Sequence, residues 1–279
     1  MRDKEITSYI QNLEIMTSEE TVSYILLHKC SCSRFGDGEF LVMNDGGNPF
    51  QPPNTNLKER LKEVIASRNP NLLICVPRTL TDIQPYTLNS QLSALGYRNL
   101  FMKSVVMKFV PTTQRYGDSL FTRFYMSKKD KKHIHEYVKL LQKIWENQDL
   151  LIVEGKFSRL GVGNDLFNNA RSIKRIICPS KNAFDRYDEI LRQAKEAAAG
   201  HLVILALGMT ATVLAYDLAY EGIQALDLGH VDVEYEWFRI KAKHKVAILG
   251  KHVNEVAGGA ENSSSVDREY LTQIVSEIS

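Results

Sequence analysis

Two acidic residues separated by one glycine, Asp37 and Glu39, stand directly after an apolar segment of the chain. In an extended chain, side chains two residues apart point to the same side. Their hard carboxylate oxygens suit Mg²⁺ or Mn²⁺, and Gly36 and Gly38 would let a metal or a phosphate approach the backbone. Asp-Gly-Glu also occurs in plain surface turns. Because the motif lies at the end of a predicted strand, a divalent-metal site is the competing interpretation.

A second candidate site comprises Gly208, Met209 and Thr210, between an apolar run and a predicted helix start. Backbone N–H groups at a helix start are unpaired and bind anions. We expect these groups, with the hydroxyls of Thr210 and Thr212, to face a crevice. The segment matches neither the Walker loop nor the full dinucleotide fingerprint. A similar glycine-rich segment at 160–165 is explained by a tight turn more readily than by phosphate binding.

A third candidate is the alternation of ionisable and apolar residues at 230–237. As a strand, this segment would place His230, Asp232, Glu234 and Glu236 on one side. One of them could act as a general base, which must lie beside the reacting hydroxyl. An edge strand with a solvated face explains the pattern equally well. In a helix, His230 would instead pair with Glu234.

The order of predicted elements indicates an α/β fold, Rossmann-like, with a mostly parallel sheet and helices on both faces. Apolar runs alternate with helical patterns, and continuous apolar strands are typical of a sheet covered on both faces. Right-handed crossovers would bring the polar segments that follow four strands to one edge, where such sheets bind ligands. These segments are 37–39, 154–156, 208–210 and 229–230. Glu154 is therefore a fourth candidate base.

The predicted strands are 30–35, 72–76, 100–106, 150–153, 173–178, 202–207 and 225–228, and the predicted helices are 6–16, 22–27, 57–67, 82–95, 130–145, one from Asn164, 183–199 and 211–220. A Gly/Asn/Pro-rich loop is predicted at 44–56. Residues 1–256 are expected to form a single domain that includes the N-terminal helices within 1–29. Residues 257–279 are expected to form a linker and a tail helix, with helical spacing from 266 to 278, that could support homo-oligomer assembly.

Composition favours an ordinary globular protein of 279 residues, with 44% hydrophobic and 24% charged residues. The net charge of +2 is mixed along the chain, so no nucleic-acid partner is expected. No segment has the length and apolarity of a signal peptide or a membrane span. The four cysteines suit a reducing compartment. We therefore expect a cytoplasmic protein.

The sequence resembles the GT-D glycosyltransferases, which include enzymes that extend the glycan on serine-rich-repeat adhesins of streptococci. The resemblance extends from about residue 31 to residue 256 and rests on five blocks in the same order. These blocks are 34–39, 153–165, 179–184, 206–215 and 229–237. Two residues depart from the family pattern, because Met209 and Phe124 stand where proline is expected. The change at Phe124 could alter the acceptor site.

The resemblance implies a Rossmann-like fold, a UDP-sugar donor, with UDP-glucose the first to test, and a metal held by Asp37 and Glu39. A glycan or glycoprotein, such as a serine-rich adhesin, would be the acceptor. The residues expected to contact the donor are Arg34, Phe35, Gly36, Gly38, Arg159, Gly161, Gly163, Asn164, Asp165, Gly208, Met209 and Thr210. The general base is not assigned, and the candidates are His230, Asp232, Glu234 and Glu154. The alternatives are a metal-dependent phosphatase or nucleotidase and a non-catalytic nucleotide-binding module.

Overall fold

The computed structural model describes residues 4–253, 256 and 267–279. Their strands are β1 (Glu14–Ile15), β2 (Ser31–Arg34), β3 (Leu72–Val76), β4 (Arg115–Asp118), β5 (Asp149–Gly155), β6 (Ser172–Cys178), β7 (Leu202–Ala206), β8 (Ala225–Asp227) and β9 (Ile274–Glu277). In the described part of the chain they form one parallel sheet in the order β1-β4-β3-β2-β8-β7-β5-β6-β9. Strands that are remote in sequence, β2 and β8, are neighbours near its middle.

Helices cover both faces of this sheet. They are α1 (Lys4–Asn12), α2 (Ser18–His28), α3 (Asp37–Met43), α4 (Thr55–Ile65), α5 (Leu88–Phe101), α6 (Met107–Phe109), α7 (Ile134–Gln142), α8 (Tyr187–Ala197), α9 (Met209–Tyr220), α10 (Val231–Arg239) and α11 (Arg268–Gln273). Helices α2, α7 and α10 contribute to the core on one face. Helices α4, α8 and α9 contribute to the core on the other.

The strands are apolar throughout because successive side chains enter opposite cores. In β5, Leu150 and Ile152 pack in the cluster that contains α7. Leu151 and Val153 pack in the cluster that contains α8. Side chains alternate between the faces of a strand, so a strand covered on both sides needs apolar residues at every position. The predicted α/β architecture with a parallel sheet is confirmed.

Most of the predicted elements lie where the sequence indicated. The predicted strands at 30–35, 72–76, 150–153, 173–178, 202–207 and 225–228 correspond to β2, β3, β5, β6, β7 and β8. Helix α2 begins with a capping box: the Thr17 hydroxyl accepts from the Glu20 N–H at 3.1 Å, and the Glu20 carboxylate accepts from the Thr17 N–H at 2.7 Å. This reciprocal pair fixes the start of the helix.

Two predicted elements are wrong. Residues 100–106 are not a strand, because α5 continues into a π-helical turn at Met102–Val106. The buried residues there are spaced as on a helix face: Phe101, Met102, Val105 and Val106. A short apolar run does not distinguish strand from helix by itself. No helix starts at Asn164 either, since residues 161–170 form turns and bends. Helices α5 and α7 also start later than predicted.

The short strands β1, β4 and β9 were not predicted. Strand β4 has the polar sequence Arg-Tyr-Gly-Asp and lies in the sheet because it pairs with β3 and β1.

The predicted tail helix at 266–278 is shorter in the structure, because α11 ends at Gln273 and β9 then pairs with β6. The predicted linker at 257–265 lies outside the described residues, and the division of the chain at residue 256 stays a prediction. In the residues described, no helix combines the length and apolarity needed to cross a membrane.

Candidate active site

A cleft of about 1180 Å³ lies along the carboxyl ends of the strands. It brings together residues that follow β2, β5, β7 and β8, as the sequence predicted. The predicted site residues that line it are Arg34, Phe35, Gly36, Asp37, Gly38, Glu39, Gly208, Met209, Thr210, His230, Asp232 and Glu234. Those that do not line it are Glu154, Arg159, Gly161, Gly163, Asn164 and Asp165. Small-ligand pockets span about 300–1000 Å³, so the cleft has room for two substrates.

Asp37 and Glu39 lie in the first turn of α3 rather than in extended chain, which corrects the predicted geometry. The helix starts here because the Glu39 carboxylate accepts from the N–H of Gly36 at 2.8 Å, and an acidic residue at a helix start is favourable. Asp37 is exposed, and its carboxylate accepts from the Gly38 N–H at 3.1 Å. Both carboxyl groups line the cleft.

Burial raises the pKa of Glu39 to about 7, and the carboxylates of Asp227 and Asp37 contribute to the rise. The site therefore favours a positive partner, because a cation would offset the repulsion among these carboxylates. In the residues that the structure describes, no group of three or more His, Cys, Asp and Glu side chains is placed to hold a metal ion. Mg²⁺ is commonly held by one or two carboxylates together with substrate phosphates. Asp37 and Glu39 fit that mode of binding.

Arg34 lies beside this pair at the end of β2 and is anchored to two other segments, β8 and residues 119–122. Its Nε and Nη2 donate to the backbone and carboxylate oxygens of Asp227 at 2.7 and 3.0 Å. Its Nη1 donates to the Ser119 carbonyl at 3.1 Å and to the Thr122 hydroxyl at 2.8 Å. A Cβ at Gly229 would lie only 1.9 Å from Nη2, so glycine is required there. The guanidinium is held rigidly at the wall of the cleft.

The start of α9 lies in the same cleft, directly after β7. Gly208 takes a positive φ of 53° there, a conformation that glycine adopts without strain. Met209 approaches the acidic turn, because its sulfur lies 3.5 Å from a Cβ built on Gly38. Thr210 lines the cleft, but the predicted orientation of Thr212 is wrong: its hydroxyl donates to the Arg34 carbonyl at 3.0 Å.

The segment after β8 is helical, so of the two forms that the sequence left open for 230–237 the helix is the one adopted. The helix α10 puts Asp232 and Glu236, four residues apart, on one face. There both carboxylates accept from the amide of Asn164, at 2.7 and 2.6 Å. In a strand they could not have converged on one residue in this way. His230 occupies the N-cap position of α10 and lines the cleft.

Asp232 is buried and accepts hydrogen bonds from two other segments. It accepts from the Gly161 N–H at 2.9 Å and pairs with Lys251 at 2.5 Å. Glu234 is also buried and accepts from the N–H groups of Tyr125 and Met126, both at 2.9 Å. These carboxylates hold loops that flank the cleft.

Glu154 is fully buried at the end of β5, where burial raises its pKa and Arg175 opposes the rise. Its carboxylate pairs with Arg175 at 2.6 Å and accepts from the Leu160 N–H at 2.7 Å. Arg159 directly precedes Leu160, and its guanidinium lies 5.2 Å from the centre of the Tyr270 ring. Both residues connect the 156–165 segment to the rest of the fold.

Tyr97 and Gln51 are among the cleft residues that sequence reasoning missed. The Tyr97 hydroxyl is buried and has no hydrogen-bond partner among the described residues. Burial raises its pKa well above the ordinary value, and Asp37 and Glu39 add to the rise. The predicted helix ended at residue 95, so Tyr97 fell outside it. A polar face at Asn89, Ser90 and Ser93 was the signal that could have extended the search.

This geometry defines a Rossmann-like α/β protein with a paired-carboxylate turn and a helix start at one ligand-binding edge. The chain belongs to the glycosyltransferase GT-D fold family, whose profile matches residues 32–256. The predicted family is thereby confirmed. This chain is 36% identical over 271 residues to a probable glycosyl transferase Gly of Streptococcus gordonii. The match covers 96% of this chain and 39% of that protein. The chain is 37% identical to the glycosyltransferase GlyD of Streptococcus pneumoniae serotype 4, covering 95% of this chain and 33% of that protein.

Solved structures agree with this assignment. A structure described as a new glycosyltransferase (DUF1792) from Streptococcus sanguinis superimposes with a TM-score of 0.91 at 36% identity, covering 96% of this chain and 100% of that one. Another, described as domain of unknown function 1792 with a distinct glycosyltransferase fold, gives a TM-score of 0.92 at 38% identity and covers 99% of both chains. The chain spans well under half the length of the two curated relatives that it matches.

Proposed function

We propose that this chain is a metal-dependent hexosyltransferase that moves a sugar from a UDP-sugar to a glycan acceptor. The proposal rests on one observation: the Asp37–Glu39 turn and the start of α9 line the same cleft and lie next to each other. A diphosphate is the ligand that needs both features, because a helix start binds anionic oxygens and paired carboxylates bind the accompanying cation. UDP-glucose is the first donor to test, and a glycosylated serine-rich surface protein is the first acceptor.

In the proposed reaction an acceptor hydroxyl attacks the anomeric carbon, and the bond from that carbon to the diphosphate oxygen breaks. The electron pair of the broken bond stays on the leaving diphosphate, and the acceptor proton passes to a base. Mg²⁺ or Mn²⁺ bound by Asp37 and Glu39 would supply Lewis-acid stabilisation of the developing charge. The backbone N–H groups at the start of α9 would stabilise the same charge.

We propose His230 as the base. It lines the cleft at the carboxyl end of β8, within one helix turn of Glu234. Glu154, Asp232 and Glu234 were equal candidates in sequence, but each accepts at least two hydrogen bonds from other segments. Such contacts support roles in positioning loops. The cytoplasmic location and a homo-oligomeric assembly, both inferred from sequence, stay predictions.

The test is the release of UDP from a panel of UDP-sugars, with Mn²⁺ present or chelated. The intact protein is compared with Asp37→Ala and Glu39→Ala variants that remain folded by thermal melting. We expect metal-dependent release that either substitution abolishes. Release of inorganic phosphate instead would indicate a phosphatase or nucleotidase. Binding of UDP without turnover, with every glycosylated peptide tried, would indicate a nucleotide-binding module.

A further inference from the structure

Three rings from separate segments form a cluster in the lining of the cleft, which we call the ring cluster: Phe50, Phe157 and His252. The His252 ring centre lies 6.0 Å from that of Phe50 and 6.4 Å from that of Phe157. The backbone joins these segments as well, because the His252 N–H donates to the Phe157 carbonyl at 3.0 Å. All three rings line the cleft. A flat apolar ligand could stack here.

Gln51 adds a polar group beside the ring cluster. Its side chain lines the cleft and is 4% exposed. The Nε2 amide is buried and has no hydrogen-bond partner within the described part of the chain. A buried donor without a partner is unfavourable, and most buried polar groups in proteins are paired. A ligand acceptor at this position would satisfy it.

The loop that carries Phe50 and Gln51 also reaches the acidic turn. The Asn48 side-chain oxygen accepts from the N–H groups of both residues, at 2.9 and 3.0 Å. Its Nδ2 lies 3.6 Å from a Cβ built on Gly38. One short segment therefore spans the distance from the metal-binding carboxylates to the ring cluster. A ligand with its phosphates at the turn would extend along this loop.

We propose that the ring cluster and Gln51 form the nucleobase subsite for the donor. The uracil ring stacks on the aromatic side chains, as bases do on aromatic rings in proteins. A uracil carbonyl oxygen accepts a hydrogen bond from Gln51 Nε2. The inference rests on the proposed function, because it takes a UDP-sugar as the donor.

Another part of the cleft lining suits the acceptor better. It is lined by small polar residues of α5, including Asn89, Ser90 and Ser93, whose hydroxyl and amide groups match sugar hydroxyls. The ring cluster has fewer such groups and offers planar surfaces. The acceptor glycan would therefore bind along α5, and the donor base at the ring cluster.

The test compares two ligands that differ only in the base: UDP and base-free ribose 5-diphosphate. Affinities are measured by calorimetry with Mn²⁺ on the full chain and on Gln51→Met and Phe157→Ala variants. Gln11→Met is the matched control, because Gln11 is exposed on α1. We expect each site variant to weaken UDP binding about tenfold, as loss of a buried hydrogen bond or stacked ring does. Affinity for the base-free ligand should change less than about twofold.

Two results would overturn the subsite. If the variants lower the affinity for both ligands equally, or for neither, the base does not bind at the ring cluster. Variants that raise only the KM for the glycan acceptor would assign the ring cluster to the acceptor. If the intact protein binds neither ligand, the proposed function fails before any variant is compared. Melting temperatures of the two independent variants separate a loss of binding from a loss of folding.

Discussion

Two sets of carboxylates at the same edge of the sheet differ in what they bind. Asp37 and Glu39 accept hydrogen bonds from N–H groups of their own turn and face the cleft. Glu154, Asp232 and Glu234 are buried and accept from distant segments, including the side chains of Arg175 and Lys251. The first set is available to a cation and substrate, whereas the second holds the surrounding loops.

This difference shows that position after a strand is insufficient to identify a catalytic acid. Both sets follow strands of one parallel sheet, and both consist of acidic residues. Their contacts separate them, because a carboxylate that already satisfies several buried donors cannot exchange them for a substrate without cost. Substitutions should therefore affect stability in one set and turnover in the other.

The largest effect is expected for Glu154→Ala, which leaves the buried guanidinium of Arg175 without its partner. Breaking a buried ion pair in this way costs about 3–5 kcal/mol of unfolding free energy. Urea denaturation measures the loss. The double variant Glu154→Leu/Arg175→Met should recover most of it, since removing both charges leaves neither unpaired. A loss below about 1 kcal/mol for the single variant would contradict a structural role for this pair.

Asp37→Asn should have the opposite profile. The residue is exposed, so the free energy of unfolding should change by less than about 0.5 kcal/mol. The rate of UDP release should fall about 100-fold or more, because stabilisation of the leaving group is lost. Asp130→Asn, at another exposed site, is the control for a change of charge alone. A loss of folded protein large enough to account for the whole fall in rate would remove the distinction between the two sets.

Glu234→Gln should have an intermediate effect. A glutamine oxygen can still accept from Tyr125 and Met126, but the bonds lose their charge assistance. We expect a loss of about 1–2 kcal/mol in the free energy of unfolding. Thermal and urea unfolding measure it against Glu146→Gln, which alters an exposed acid. An unchanged stability with an abolished rate would instead make Glu234 the base and displace His230 from that role.

The smallest effect is expected for Asp165→Asn. This side chain is 61% exposed and lies outside the cleft, where it contacts Tyr235 and Arg239. Exposed ion pairs contribute about 0–1 kcal/mol, so stability should change by less than about 0.5 kcal/mol. UDP release should stay within about twofold of the intact protein. A tenfold fall in donor affinity would restore the donor-binding role that the sequence suggested.

The sequence by itself determined the class of fold and the location of the site. Continuous apolar strands such as β5 and β7 require cover on both faces, so their pattern indicated a parallel sheet. The ligand-binding edge of the sheet followed from that topology. The order of the motifs along the chain indicated the family. These properties depend on local periodicity and connection rules, which are visible in one dimension.

Only the tertiary structure decided which acids bind distant segments and which keep to their own turn. Asp232 and Glu154 meet Lys251 and Arg175, residues 19 and 21 positions away, and no local pattern encodes those pairs. The strand order likewise depends on pairing: β9 lies at the edge of the sheet because β6 had an open side. The helical form of 230–237 brings two acids to one face, where both bind Asn164, a residue about 70 positions away. Such contacts join segments that are remote in sequence, so only the folded chain reveals them.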